Sequence, residues 1–168
     1  AVGEYLFALI DTYDETDGDN HPNPAWARPN QRALALSAAG MTQRAIEAEL
    51  MALKYADTAR RREISLDNLA DRCIRAGRYE EAVAFFIDAL EVAPRSVPVL
   101  LTGAMALYHA GYREQADGIF AKFLEAPEQL APGGPLGANL DHEERLAAMA
   151  PALPSLRALY IAWADSKR

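Results

Sequence analysis

Apolar residues along the chain recur three and four positions apart, the spacing that lines one side of an α-helix. Such stretches fall at about 31–39, 42–57, 61–76, 79–92, 97–110 and 113–125, and each is separated from the next by a few residues. A further one covers 153–165, with Leu156, Leu159, Tyr160 and Trp163 at helical spacing. Residues 4–12 (EYLFALIDT) predict an apolar helix, and Asp141 offers a cap for a short helix running to about 149. Strand-like alternation is almost absent. Gly40, Gly77 and Gly111 stand where a helix ends in a left-handed residue. Pro94 and Pro127 follow helices that they cannot continue. Two stretches lack periodicity and predict loops: 13–30 and 126–139, both rich in proline. The pattern therefore predicts an all-α chain of antiparallel helix hairpins.

The hairpins repeat. Sliding 63–96 over 97–130, an offset of 34, gives nine identities: Leu66/Leu100, Ala70/Ala104, Ala76/Ala110, Gly77/Gly111, Glu80/Glu114, Ala82/Ala116, Phe86/Phe120, Leu90/Leu124 and Glu91/Glu125. They fall on small and large apolar positions, where close helix packing would demand them. The first unit reads Leu66-x2-Leu69-Ala70-x2-Cys73, then Gly77, Ala82-x3-Phe86, Ala89 and Pro94. The second reads Leu100-x2-Gly103-Ala104-x2-Leu107, then Gly111 and Ala116-x3-Phe120, with Phe123 where a small residue is usual and Pro127 one place early. Upstream, Gly40 and Ala45 lie 37 residues before Gly77 and Ala82, and Glu49 falls in the slot of Phe86.

This 34-residue helix–turn–helix pattern resembles the tetratricopeptide repeat family. The resemblance implies an antiparallel helix-hairpin array forming a right-handed α-superhelix, of about two to three repeats plus capping helices. The chain then divides as one domain over 1–168. An acidic, proline-rich loop spans 13–30, a degenerate repeat 31–62, repeats 63–96 and 97–130, and C-terminal capping helices lie within 141–166. Stacked neighbours are needed because a single hairpin cannot bury its apolar side alone.

The resemblance also implies a non-enzymatic scaffold that binds a peptide or protein surface in a concave groove. Groove positions carried over are Asp67, Asn68, Asp71 and Arg75, with Ile64 and Ile74, in the first repeat. In the second they are Leu101, Met105, Tyr108 and His109, with Thr102; the degenerate repeat adds Asn30, Gln31, Leu34 and Ser37. Family members that grip a terminal carboxylate use lysine and asparagine where this chain has Asp67 and Asp71, so two carboxylates exclude that mode. An acidic half beside an apolar half implies a partner segment with Lys or Arg next to an apolar residue, and an exposed Leu101, Met105 and Tyr108 to receive it. The alternative is a structural accessory subunit of a larger enzyme or secretion assembly, docking through end or convex faces.

Composition narrows the remainder. The 168 residues carry a formal net charge of −7, which opposes binding to nucleic-acid phosphates, and the Arg60–Arg61–Arg62 cluster lacks interleaved aromatics. No apolar run reaches a membrane span. The lone Cys73 excludes an internal disulfide and reads as a buried thiol. The run Asp11, Asp14, Glu15, Asp17, Asp19 and His21 resembles a calcium or metal loop only superficially. Tyr13 stands at the first ligand place and Pro24 at the twelfth. His21, His109 and His142 form no metal-binding pair, and PGGPLG (132–137) lacks the lysine of a phosphate loop. No cofactor and no metal are expected. The chain opens at Ala1 with no leader to read, which leaves the compartment open, the cytoplasm favoured over export after signal cleavage.

Overall fold

The computed structural model describes residues 21–168, and all regular structure among them is helical. The helices are α1 Pro24–Ala38, α2 Thr42–Lys54, α3 Ala59–Arg75, α4 Tyr79–Val92, α5 Val97–His109, α6 Arg113–Leu124, α7 Pro135–His142, α8 Glu144–Met149 and α9 Pro154–Ser166. Short 3₁₀ turns occupy Pro127–Leu130 and Ala150–Ala152. The helix expected over 4–12 and the acidic residues from Asp11 to Asp19 lie outside the described residues.

Consecutive helices pack as hairpins, α1 on α2, α3 on α4 and α5 on α6, while α3 also packs on α5. Three turns are built alike. Gly40, Gly77 and Gly111 have φ of +78°, +74° and +95°, a conformation that costs a Cβ-bearing residue. In each the glycine N–H reaches back to the helix (Ser37, Ile74 and Tyr108 carbonyls, 3.0–3.1 Å). The next N–H closes the wider loop onto Leu36, Cys73 and Leu107 (2.8–2.9 Å). This pairing satisfies the carbonyls that a helix end leaves open.

The repeat positions form the core. Ala70, Ala82, Ala89, Ala104 and Ala116 are almost completely buried, as are Leu66, Leu69, Phe86 and Phe120. Gly103 supplies a close approach: a Cβ there would lie 2.1 Å from the Phe86 ring. Cys73 is buried, and loss of solvent pushes its thiol pKa up.

Two loop expectations are corrected. Residues 24–30 are not loop but the first two turns of α1. Asn23 caps that helix, accepting from the Trp26 N–H at 3.1 Å. Pro24 occupies its first turn, where a missing N–H costs nothing. Pro29 sits inside the same helix, and the buried Trp26 pins it by donating from Nε1 to the Ser65 hydroxyl at 3.0 Å. Within 126–139, Pro135 opens α7, whose Leu136 and Leu140 enter the core. Asp141 is not a cap. It lies in the last turn of α7 and accepts from Trp163 Nε1 and Lys167 Nζ, at 2.7 and 2.6 Å. The cap of α8 is Glu143, which accepts from the Arg145 N–H at 3.1 Å.

Candidate functional site

The positions expected to share one groove divide into two environments. Leu101 and Met105, expected exposed, are 2% and 3% exposed. The helices α7 and α8 lie against α5, and their Leu136, Leu140, Leu146 and Met149 join the same buried cluster as Leu101 and Met105. The apolar half is therefore filled by the chain itself. Sequence spacing missed this because α7 and α8 are only eight and six residues long and follow a glycine–proline stretch. Tyr108 is half-buried, with the Arg113 guanidinium 4.9 Å from its ring centre. His109 stacks on Tyr79 at 5.0 Å. Burial, aided by the Arg145 charge, lowers its pKa.

The acidic half is also not as expected. Asp67 is partly buried and its Oδ1 has no hydrogen-bond partner. Burial pushes its pKa up to about 6 against the pull of the nearby Thr102 hydroxyl, and the neighbouring Asp71 and Glu63 charges add to the rise. Asp71 is engaged on both oxygens. Arg75 Nε donates to Oδ2 at 2.9 Å, and Arg145 Nη1 lies 2.7 Å from Oδ1 as an ion pair. Arg145 also donates from Nε and Nη2 to Glu143, at 2.9 and 3.0 Å. Asp71 and Glu143 thus balance Arg75 and Arg145. The basic–apolar pair expected of a foreign segment is present in the chain as Arg145–Leu146, with Leu146 fully buried.

An open cleft remains beside this cluster, between α1 and α3. Its volume is about 380 Å³, and Leu34, Ser37, Ala38, Asn68, Asp71, Arg72 and Arg75 line it. Leu34 is 58% exposed. The cleft unites Asn68, Asp71 and Arg75 with Leu34 and Ser37 of the upstream helix, all groove positions in the sequence reading. It excludes Leu101, Met105, Tyr108 and His109.

Behind the cleft lies a polar network that sequence reading did not single out. Glu49 of α2 is fully buried. It accepts from Asn30 Nδ2 (3.1 Å), the Ser65 hydroxyl (2.9 Å), Asn68 Nδ2 (3.0 Å) and Arg72 Nη1 (2.7 Å). A buried carboxylate needs such partners. Two signals were legible. Glu49 stands in the register of a core phenylalanine, and Ser65, Asn68 and Arg72 recur at three and four residues along α3, on one side of the helix.

Among the described residues no group of histidine, cysteine and carboxylate side chains could hold a metal ion, and no helix is long and apolar enough to cross a membrane. No model of a known protein family matches the chain, and no curated protein matches its sequence.

Proposed function

We propose that this protein is a non-enzymatic interaction scaffold of tetratricopeptide-repeat type. Its α1–α3 cleft captures a segment of another protein. The observation that carries this reading is the cleft itself: an exposed Leu34 beside hydrogen-bonding side chains of α3, adjoining a network whose only evident work is to hold α3 against α1 and α2. The partner-facing set is Leu34, Ser37, Asn68, Asp71 and Arg75, with Arg72 at the floor. Leu101 and Met105 serve the fold instead.

A second reading has its own support. On α2 and at its C-cap, Leu50, Met51 and Tyr55 are 44%, 50% and 44% exposed. A hollow of about 600 Å³ between α1 and α2 includes Met51 in its lining. Exposed apolar side chains at this end of the described helices suit docking as an accessory subunit. Crosslinking of the full chain in its native extract, followed by mass spectrometry, identifies the partner, and two variants separate the readings. Under cleft capture, Leu34→Asp abolishes recovery of that partner and Met51→Asp leaves it intact. The opposite result moves the interface to the α2 end.

A further inference from the structure

Arg72 presents an unusual account. Its side chain is 4% exposed, so its donors have little access to water. A guanidinium carries five N–H donors. Among the described residues, Arg72 makes one hydrogen bond, from Nη1 to Glu49, and its Nε is buried without an acceptor. Buried donors without partners are costly, and natural structures satisfy nearly all of them. Arg72 also lines the open cleft. Beside it, Arg75 commits its Nε to Asp71 and is half exposed.

The charge around the cleft is already cancelled: Arg72 by Glu49, Arg75 and Arg145 by Asp71 and Glu143. Asp71 already faces Arg75 and Arg145, so a basic group entering the cleft would share one carboxylate with two cations. The cleft lacks acceptors for its donors rather than an anion. Its apolar portion, Leu34 and Ala38, comes from the opposite helix.

Resting on the scaffold reading above, we infer that the cleft recognises a hydrogen-bond acceptor oxygen, the main-chain carbonyl of an extended segment, delivered to the Arg72 and Arg75 guanidinium groups while a neighbouring apolar side chain covers Leu34. This reverses the basic partner expected from Asp67 and Asp71. A neutral acceptor meets the donors without disturbing the ion pairs, so recognition is insensitive to salt, whereas capture of a cation would weaken as screening grows.

The test follows the Nε–H signals of arginine in the ¹⁵N-labelled full chain by nuclear magnetic resonance, with the Arg72 signal assigned from Arg72→Lys. Three capped pentapeptides serve as probes: acetyl-Ala-Leu-Ala-Leu-Ala-amide, and the same peptide with Glu or with Lys at the centre. The neutral peptide is expected to shift the Arg72 signal saturably, with affinity changing less than twofold between about 50 and 300 mM salt. Ala38→Trp, which fills the cleft while Arg72 and Glu49 stay unsubstituted, is expected to weaken that binding at least tenfold. Tenfold tighter, salt-sensitive binding of the Glu peptide would overturn the neutral acceptor in favour of a carboxylate. Tenfold tighter binding of the Lys peptide overturns the inference, as does an Arg72 signal that none of the three moves. If the crosslinked partner is still lost in Leu34→Asp while the Arg72 signal stays fixed, only this assignment falls and cleft capture stands.

Discussion

Glu49 and Arg72 carry the sharpest energetic consequence at the scale of single residues. Their 2.7 Å pair is almost wholly removed from solvent, and separating one member leaves a buried charge uncompensated. Glu49→Ala is therefore expected to cost about 3–5 kcal/mol. Adding Arg72→Met should recover much of that loss, because removing both charges leaves neither stranded. Urea denaturation of the two variants measures the difference. Asp67 gives a pH signature of a distinct kind. Its folded pKa of about 6 lies above the ordinary value of 3.8, so the fold favours the protonated form. The contribution of this group is fully present below about pH 4 and is lost as pH rises through 6. Asp67→Asn removes that loss. The variant should match wild type near pH 4 and exceed it above pH 7, by on the order of 2 kcal/mol. Equal stability curves across that range would show that Asp67 titrates as an ordinary surface carboxylate.

At the scale of elements, the α3–α4 and α5–α6 hairpins meet through Phe86 and Gly103. Phe86→Ala is expected to cost about 3–5 kcal/mol, as truncation of a buried aromatic does. Gly103→Ala should also destabilise, because its Cβ would fall 2.1 Å from the ring. The two changes share one contact, so together they should cost less than their sum; thermal melts followed by circular dichroism read the coupling. These positions were legible because a 34-residue repeat places small and large residues in register on adjacent helices. The glycine turns were equally legible, since left-handed backbone names its residue. The start of α1 was not. Pro24 and Pro29 read locally as loop residues, while the Trp26–Ser65 bond that holds their helix spans 39 positions. Of the pair α7–α8, the second was legible as the short helix running to about 149, while α7 escaped for a similar reason: helices this short are marginal alone, and the pair persists by burying Leu136, Leu140, Leu146 and Met149. The candidate site was half legible. Its α3 residues follow from helical spacing, whereas the closing of the Leu101–Met105 side depends on a segment some forty residues downstream.

At the scale of the whole molecule, the question is what keeps the C-terminal segment on α5. Two kinds of contact are available, the Arg145–Asp71 ion pair and the apolar side chains of α7 and α8. Their magnitudes differ. The ion pair is partly solvated, with side chains 25% and 28% exposed, and such pairs contribute up to about 1 kcal/mol. Arg145 also keeps both of its bonds to Glu143 when Asp71 is neutralised. Leu146 and Met149, by contrast, are almost wholly buried, and truncating one such residue costs about 2–5 kcal/mol. The apolar contacts therefore dominate, and the segment is a fixed part of the fold that a competing cation cannot lift away. Hydrogen exchange over 143–149 tests this ordering. Asp71→Asn is expected to leave amide protection there within about a factor of five of wild type. Leu146→Ala is expected to lower it by about thirtyfold or more. Loss of protection in Asp71→Asn comparable to that in Leu146→Ala would mean that charge holds the segment in place, and the Leu101–Met105 side of α5 would then open to any partner able to take Arg145 from Asp71.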